Sequence, residues 1–262
     1  MKKKPFILVV VPFKDEESFV LNFVDSLFKS VVNEFSYSLL LWDDGSTDDT
    51  LDSLIKYIDN SIPIFKHNNV EYTQTAFDIV EYSKSLNQYD YLLLVNSDVK
   101  FEPETMISLV ETLNCNSNVA AVGGKVVDYY DLEIKHTGTR LVNGEIVDPY
   151  VGLNMSDSKT NFVERRLWVT GCCVLYNLNI LRKEHLNFDL EFKPSYFEEA
   201  DLMTKLNVMG YSVMYEPKAV VRHLVNATHN KERDKYENVF WTNWNKYLEK
   251  WKPKFESKEL QF

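Results

Sequence analysis

Four polar clusters in this chain have residue types and spacings that can do chemistry. The first is Asp43-Asp44-Gly45-Ser46-Thr47-Asp48-Asp49-Thr50. A carboxylate at a strand end can accept the N–H of a nucleobase and so select it. The same string also suits a tight turn and a helix N-cap, because Asp, Ser and Thr satisfy free backbone N–H groups. The second is Asn96-Ser97-Asp98. A carboxylate there can hold Mg²⁺ or Mn²⁺ while diphosphate oxygens fill other coordination positions. The competing reading is an Asx-turn. The third is Glu198-Glu199-Ala200-Asp201. Three carboxylates so close repel one another, which raises at least one pKa and suits a general base near neutral pH. A helix first turn also favours acids through the dipole. The fourth is His223, whose neutral imidazole is a good ligand for a divalent ion. His67, His136, His185 and His229 read as structural histidines, and Gly171 reads as a close-approach or bulge position.

These clusters need elements to carry them. Phe6–Val11, Tyr37–Trp42, Ile62–Phe65 and Tyr91–Val95 are short, apolar and β-rich, and read as buried strands. Between them, Glu16–Val31, Thr47–Ile58 and Tyr72–Leu86 carry apolar residues at helical spacing. Pro103 is expected to open a further helix at its first turn. Alternating strands and helices predict a parallel sheet with helices on both faces, whose ligands bind at the carboxyl ends of the strands. The clusters after Trp42 and Val95 both fall at such ends. In the second half, Val119–Val127, Leu167–Tyr176 and Tyr211–Val221 are expected strands. Phe197–Met209 is an expected helix stopped by Gly210, and Asp128–Glu164 is expected to form loops and short hairpins. Lys231–Phe262 holds Phe240, Trp241, Trp244, Tyr247, Leu248 and Trp251, and reads as an amphipathic helix.

Composition narrows the field. The 262 residues, 45% of them hydrophobic, suffice for one large domain or two small ones. A formal net charge of -10 excludes a sequence-independent nucleic-acid surface, which needs a basic face. Three cysteines, two of them adjacent, make neither a disulfide framework nor a zinc site, and a reduced cytoplasmic setting is expected. The apolar run after Lys2-Lys3-Lys4 is too short for a signal peptide, and no stretch is long enough to span a bilayer.

The clusters gain specificity from their order. Val10-Val11-Pro12, Asp43 to Asp48, Asn96-Ser97-Asp98-Val99, Thr170-Gly171-Cys172-Cys173, Phe197 to Leu202 and then His223 resemble glycosyltransferase family 2, in its rhamnosyltransferase-like branch. The resemblance implies a GT-A fold: a Rossmann-like α/β architecture with a mixed, mostly parallel central sheet flanked by helices and a C-terminal helical tail. It implies a 1–230 transferase domain, with a nucleotide-sugar-binding half (1–100) and an acceptor half (101–230), and a tail (231–262) packed on it. It further implies inverting transfer of a sugar from a UDP- or dTDP-sugar to a hydroxyl of a glycan or glycoconjugate, with Mn²⁺ or Mg²⁺. Pro12, Lys14, Asp43, Asp44, Asn96 and Asp98 would then contact the donor, and Asp98 and His223 the metal. Glu199 would be the base, with Glu198 and Asp201 supporting it. Trp168, Thr170 and Gly171 would lie near the acceptor, Gly171 letting a sugar approach the backbone. This chain departs from the family pattern in having Lys14 for an aromatic residue, Asn96 for the first metal-motif acid, and Glu199 for the commoner Asp. A catalytically degenerate nucleotide-sugar-binding protein and a sugar-nucleotide nucleotidyltransferase are the alternatives. A lipid-linked acceptor would require peripheral membrane contact through the tail, and a homo-oligomer is compatible with the sequence.

Overall fold

The computed structural model describes residues 4–30, 34–58, 61–68, 70–224, 233–257 and 260. Val31, His229 and the ends of the expected tail helix lie outside them. The first half is β1 (Phe6–Phe13), α1 (Glu17–Ser30), β2 (Ser36–Asp43), α2 (Thr50–Tyr57), β3 (Ile64–Lys66), α3 (Tyr72–Ser85) and β4 (Tyr91–Val95). Then come β5 (Val99–Phe101), α4 (Thr105–Asn114), β6 (Val119–Asp128), β7 (Ile134–His136), β8 (Arg140–Val142), β9 (Glu145–Val147), β10 (Glu164–Arg166), β11 (Cys173–Asn177), α5 (Leu178–Lys183), α6 (Glu198–Val208), β12 (Ser212–His223) and α7 (Arg233–Glu256).

The main sheet runs β10-β12-β6-β11-β4-β1-β2-β3. β3, β2, β1 and β4 are mutually parallel, as are β6 and β12, while β11 runs against both of its neighbours. Alternate residues of β1 feed two cores. Leu8 and Val10 pack towards α3, α5 and α6. Ile7, Val9 and Val11 pack towards α1 and α4. Burial on both faces explains why the strand reads as an unbroken apolar run. α7 puts Tyr247, Trp251 and Phe255 into the first of these cores. Among the described residues, no helix is long and apolar enough to cross a membrane.

Three expected boundaries move, each for a local reason. The second helix begins at Thr50 rather than Thr47, because the Asp15 carboxylate accepts the N–H groups of Thr47 and Asp48. Pro103 starts the turn before α4 rather than the helix itself, which opens at Thr105. The strand expected from Leu167 begins only at Cys173. Upstream, the Asn207 side-chain amide takes the carbonyls of Arg166 and Leu167, and a lone bridge to Thr139 holds Trp168.

Candidate active site

The parallel strands deliver their carboxyl ends to one edge. The register pairs Pro12 with Trp42 and Phe13 with Asp43, so the donor-side residues start level. Asp15 latches the loop after β1 to the loop after β2. It accepts from Thr47 N–H at 2.6 Å and donates its own N–H to Ser46 Oγ at 3.1 Å. Pro12 is buried at the end of β1, and Lys14 is half-buried just beyond it.

The two aspartates after β2 do different work. Asp43 Oδ1 accepts the N–H of Ser46 at 2.9 Å, so this carboxylate closes the turn, as the bland reading of the motif had it. Asp44 faces α3. Its Oδ2 accepts from the Thr75 hydroxyl at 3.0 Å, and its Oδ1 lies 3.0 Å from His67 Nδ1. The other ring nitrogen of His67 is 3.3 Å from Asp78. His67 therefore belongs to the aspartate expected to read a base, although nothing in its surrounding sequence signals that.

Asn96 and Asp98 follow β4. Asn96 Oδ1 accepts from the Tyr72 hydroxyl at 3.3 Å, and its backbone N–H reaches Cys172 O at 2.9 Å. The Ser97 hydroxyl donates to Glu16. β5 pairs antiparallel with the end of β12, His223 opposite Val99, which brings the imidazole to Asp98 from 125 positions away in the chain. His223 Nε2 lies 3.3 Å from Asp98 Oδ1, yet that buried oxygen accepts no hydrogen bond. A carboxylate oxygen and an imidazole nitrogen that converge without a hydrogen bond suit a cation, so the residues present fit a divalent ion. Among the described residues no three His, Cys, Asp or Glu converge as a metal group.

The acidic cluster begins at a strained bend. Tyr196 and Phe197 are both left-handed, with φ of 74° and 70°. For non-glycine residues that costs about 1–3 kcal/mol each, and such strain collects at functional sites. Glu198 is 3% exposed and accepts from the Thr73 hydroxyl at 3.2 Å. Burial, reinforced by the charge of Glu199, holds its pKa well above the ordinary carboxylate value. Glu199 is also raised by burial, while the backbone N–H groups around it and that of Gly171 pull the other way. Both carboxyls are thus held above the ordinary glutamate value, and one proton on the pair is favoured over two buried charges. Glu199 Oε1 accepts from Gly171 N–H at 3.3 Å, and Oε2 is buried with no partner. Tyr72 and Cys172 lie between the two ends of the site. Each feels the charges of both Asp98 and Glu199, and burial keeps both groups protonated.

Three expectations change. Asp201 does not support Glu199. It is 2% exposed and turned towards α7, where the Trp251 indole donates at 2.7 Å and the Lys250 ammonium lies at 2.8 Å. Trp168 is a core residue, 7% exposed, with its ring edge-on to Tyr247 at 5.2 Å. At Gly171 the close neighbour is Glu199 rather than a sugar: an added Cβ would stand 3.3 Å from Glu199 Cγ. Thr170 is half-buried. Tyr72, Thr73 and Thr75 join these side chains without having been singled out from the sequence, and so does His67, which was read as structural. Their common signal is position, on or just before the first turn of α3, at the same sheet edge.

The model of glycosyl transferase family 2 matches residues 8–182. No curated protein matches the chain. Among solved structures, GalNAc-T7 with UDP, GalNAc and Mn²⁺ is similar at a TM-score of 0.68 and 15% identity, over 85% of this chain and 44% of that one. The mannosyltransferase PcManGT from Pyrobaculum calidifontis, in complex with GDP-Man and Mn²⁺, is similar at 0.59 and 14%, over 87% and 59%. This chain thus spans less than two thirds of either neighbour. At these identities the likeness is one of fold, the GT-A arrangement of sheet and helices.

Proposed function

The chain belongs to glycosyl transferase family 2, and we propose that it is an inverting glycosyltransferase moving a sugar from a nucleotide-diphospho-sugar to an acceptor hydroxyl. The observation that carries this reading is the pair of buried, partnerless carboxylate oxygens, Asp98 Oδ1 and Glu199 Oε2, at one sheet edge. Buried polar atoms in a folded protein are almost always satisfied, so two such oxygens at the carboxyl ends of the sheet point to a ligand that satisfies both.

Asp44, with Pro12 beside it, reads the nucleobase, and His67 and Thr75 fix the direction of its carboxylate. The donor is a UDP- or dTDP-sugar. Asp98 and His223 would hold Mn²⁺ or Mg²⁺, and when bound the ion would neutralise charge on the leaving diphosphate. That both similar structures carry Mn²⁺ with a nucleotide or nucleotide-sugar supports this assignment. Glu199 receives the proton of the acceptor hydroxyl at Oε2, while Gly171 N–H steadies Oε1. The freed oxygen attacks the anomeric carbon opposite the diphosphate, forming the new C–O bond as the bond to the diphosphate breaks. Glu198 remains protonated and spares the pocket a second negative charge. The acceptor is a glycan or glycoconjugate entering past Thr170 and residues 128–164.

The test is donor turnover across a panel of nucleotide-sugars with Mn²⁺, Mg²⁺ or EDTA, on wild type and Asp98→Ala. Metal-dependent release of one nucleotide, lost in the variant, supports the reading. Failure of every nucleotide-sugar to bind would sink it.

A further inference from the structure

The tail helix reaches into the loop that presents the base. Asn243 of α7 is 1% exposed. Its Nδ2 donates to Phe192 O at 2.6 Å, Ser195 O at 2.8 Å and Tyr196 O at 3.3 Å. Those carbonyls line the bend that enters α6, and the bend ends in the two left-handed residues Tyr196 and Phe197. Glu198 and Glu199 come next in the chain. Left-handed non-glycine backbone persists only where its surroundings over-determine it. A buried side-chain amide, with two N–H donors on one short arm, can tie several carbonyls of such a bend at once. Rings on the same helix support the apolar side: Phe240 and Trp244 pack on Phe197 at 5.0 and 5.4 Å. Other links between α6 and α7, the Thr204–Tyr247 bond and the contacts of Asp201 with Trp251 and Lys250, lie further along α6 than the bend.

We propose that Asn243 is a positioning residue that holds the 192–197 bend and so aims the Glu199 carboxylate into the site. The proposal rests on the reading of Glu199 as the base. Both the bend and α7 lie beyond residues 8–182, so this device belongs to this chain's own second half rather than to the matched family segment.

The experiment compares wild type, Asn243→Leu and Tyr247→Phe. Tyr247→Phe removes a bond between α6 and α7, 2.6 Å from Thr204 Oγ1, while keeping the ring that stacks on Phe197. In Asn243→Leu, kcat for donor turnover falls at least about 10-fold, as a displaced reacting group requires. The donor KM stays within about twofold, because donor contacts are untouched. Backbone amides of residues 196–199 exchange hydrogen faster, while those of β1 and β4 do not. In Tyr247→Phe, kcat is unchanged even if the melting temperature falls. Asn243→Ser, shorter and with one donor, gives the same comparison at smaller cost to folding. An unchanged kcat in the Asn243 variants, losses that track melting temperature in both series, or unaltered exchange at 196–199 would each overturn the proposal. Wild type that turns over no nucleotide-sugar would refute the base reading instead, and the exchange pattern would still decide whether Asn243 holds the bend.

Discussion

The backbone N–H of Gly171 stands 3.3 Å from Glu199 Oε1, and the glycine has no Cβ to hold the carboxylate away. The two residues come from different elements, the approach to β11 and the first turn of α6. Gly171→Ala would place a methyl 3.3 Å from Glu199 Cγ and 3.4 Å from Cδ, tighter than ordinary packing. The side chain must yield by a few tenths of an ångström. The expected result is a fall in kcat of roughly 10-fold, short of the 10²-fold that a full ångström can cost. Steady-state kinetics with a melting curve checks this; unchanged kcat would mean that the contact does not position the base.

Replacing Glu199 itself is a stronger intervention. Glu199→Gln keeps shape and burial but removes the proton acceptor. Transfer should drop by about 10²–10⁴-fold, the usual worth of general base catalysis. Donor binding, measured by calorimetry, should persist. Retained transfer would transfer the role to another group.

The pH profile tests the protonation of the acidic pair. The pKa of Glu199 is raised by burial, so the acid limb of kcat should lie above the ordinary 4.5 of a glutamate, with activity rising as pH rises through it. Glu198→Gln imitates the protonated neighbour and should leave neutral-pH activity nearly intact. Stability has the opposite sign. Carboxyls raised by burial favour the fold while protonated. Their contribution is complete below about 4.5 and is lost as pH climbs through the raised values. Equilibrium unfolding of Glu198→Gln should therefore show a gain over wild type on the alkaline side.

Asp98→Ala removes one of the two side chains proposed to hold the metal ion. Mn²⁺ binding, read by electron paramagnetic resonance in the presence of nucleoside diphosphate, should weaken by at least about tenfold, the floor of the range for lost supporting contacts. Wild-type Mn²⁺ affinity in the variant would remove Asp98 from the metal site.

Trp251→Phe tests the tail clasp. It strips the indole donor from Asp201, a carboxylate only 2% exposed, and leaves one oxygen with less compensation. The expected loss is about 1–3 kcal/mol. Denaturant unfolding would show it; a stability equal to wild type would mean that the Lys250 ammonium alone satisfies Asp201.

Much of the first half was legible because its signals are local. Phe6–Val11 and Tyr91–Val95 are buried on both faces, and such strands read as unbroken apolar runs whose ends can be counted. Asp44, Asp98 and Glu199 stand where those ends and the helix starts placed them. What failed was long-range. β5 has only three residues, buried, exposed, buried, and gains its identity from pairing with β12. Asp201 looked like part of an acidic cluster, and only the tertiary docking of Trp251 gives it a separate partner. Trp168 sits beside a polar motif in sequence but beneath Tyr247 in space. No spacing rule reveals Asn243, since a buried helical asparagine and an exposed one are written alike.

The clasp of α7 on α6 also couples parts of the chain that are far apart in sequence. The strands from β1 to β4 pair among themselves, whereas the bend before Glu199 takes three hydrogen bonds from Asn243. A disturbance of the tail helix would therefore reach the Glu199 end of the site while leaving the pairing of those strands intact.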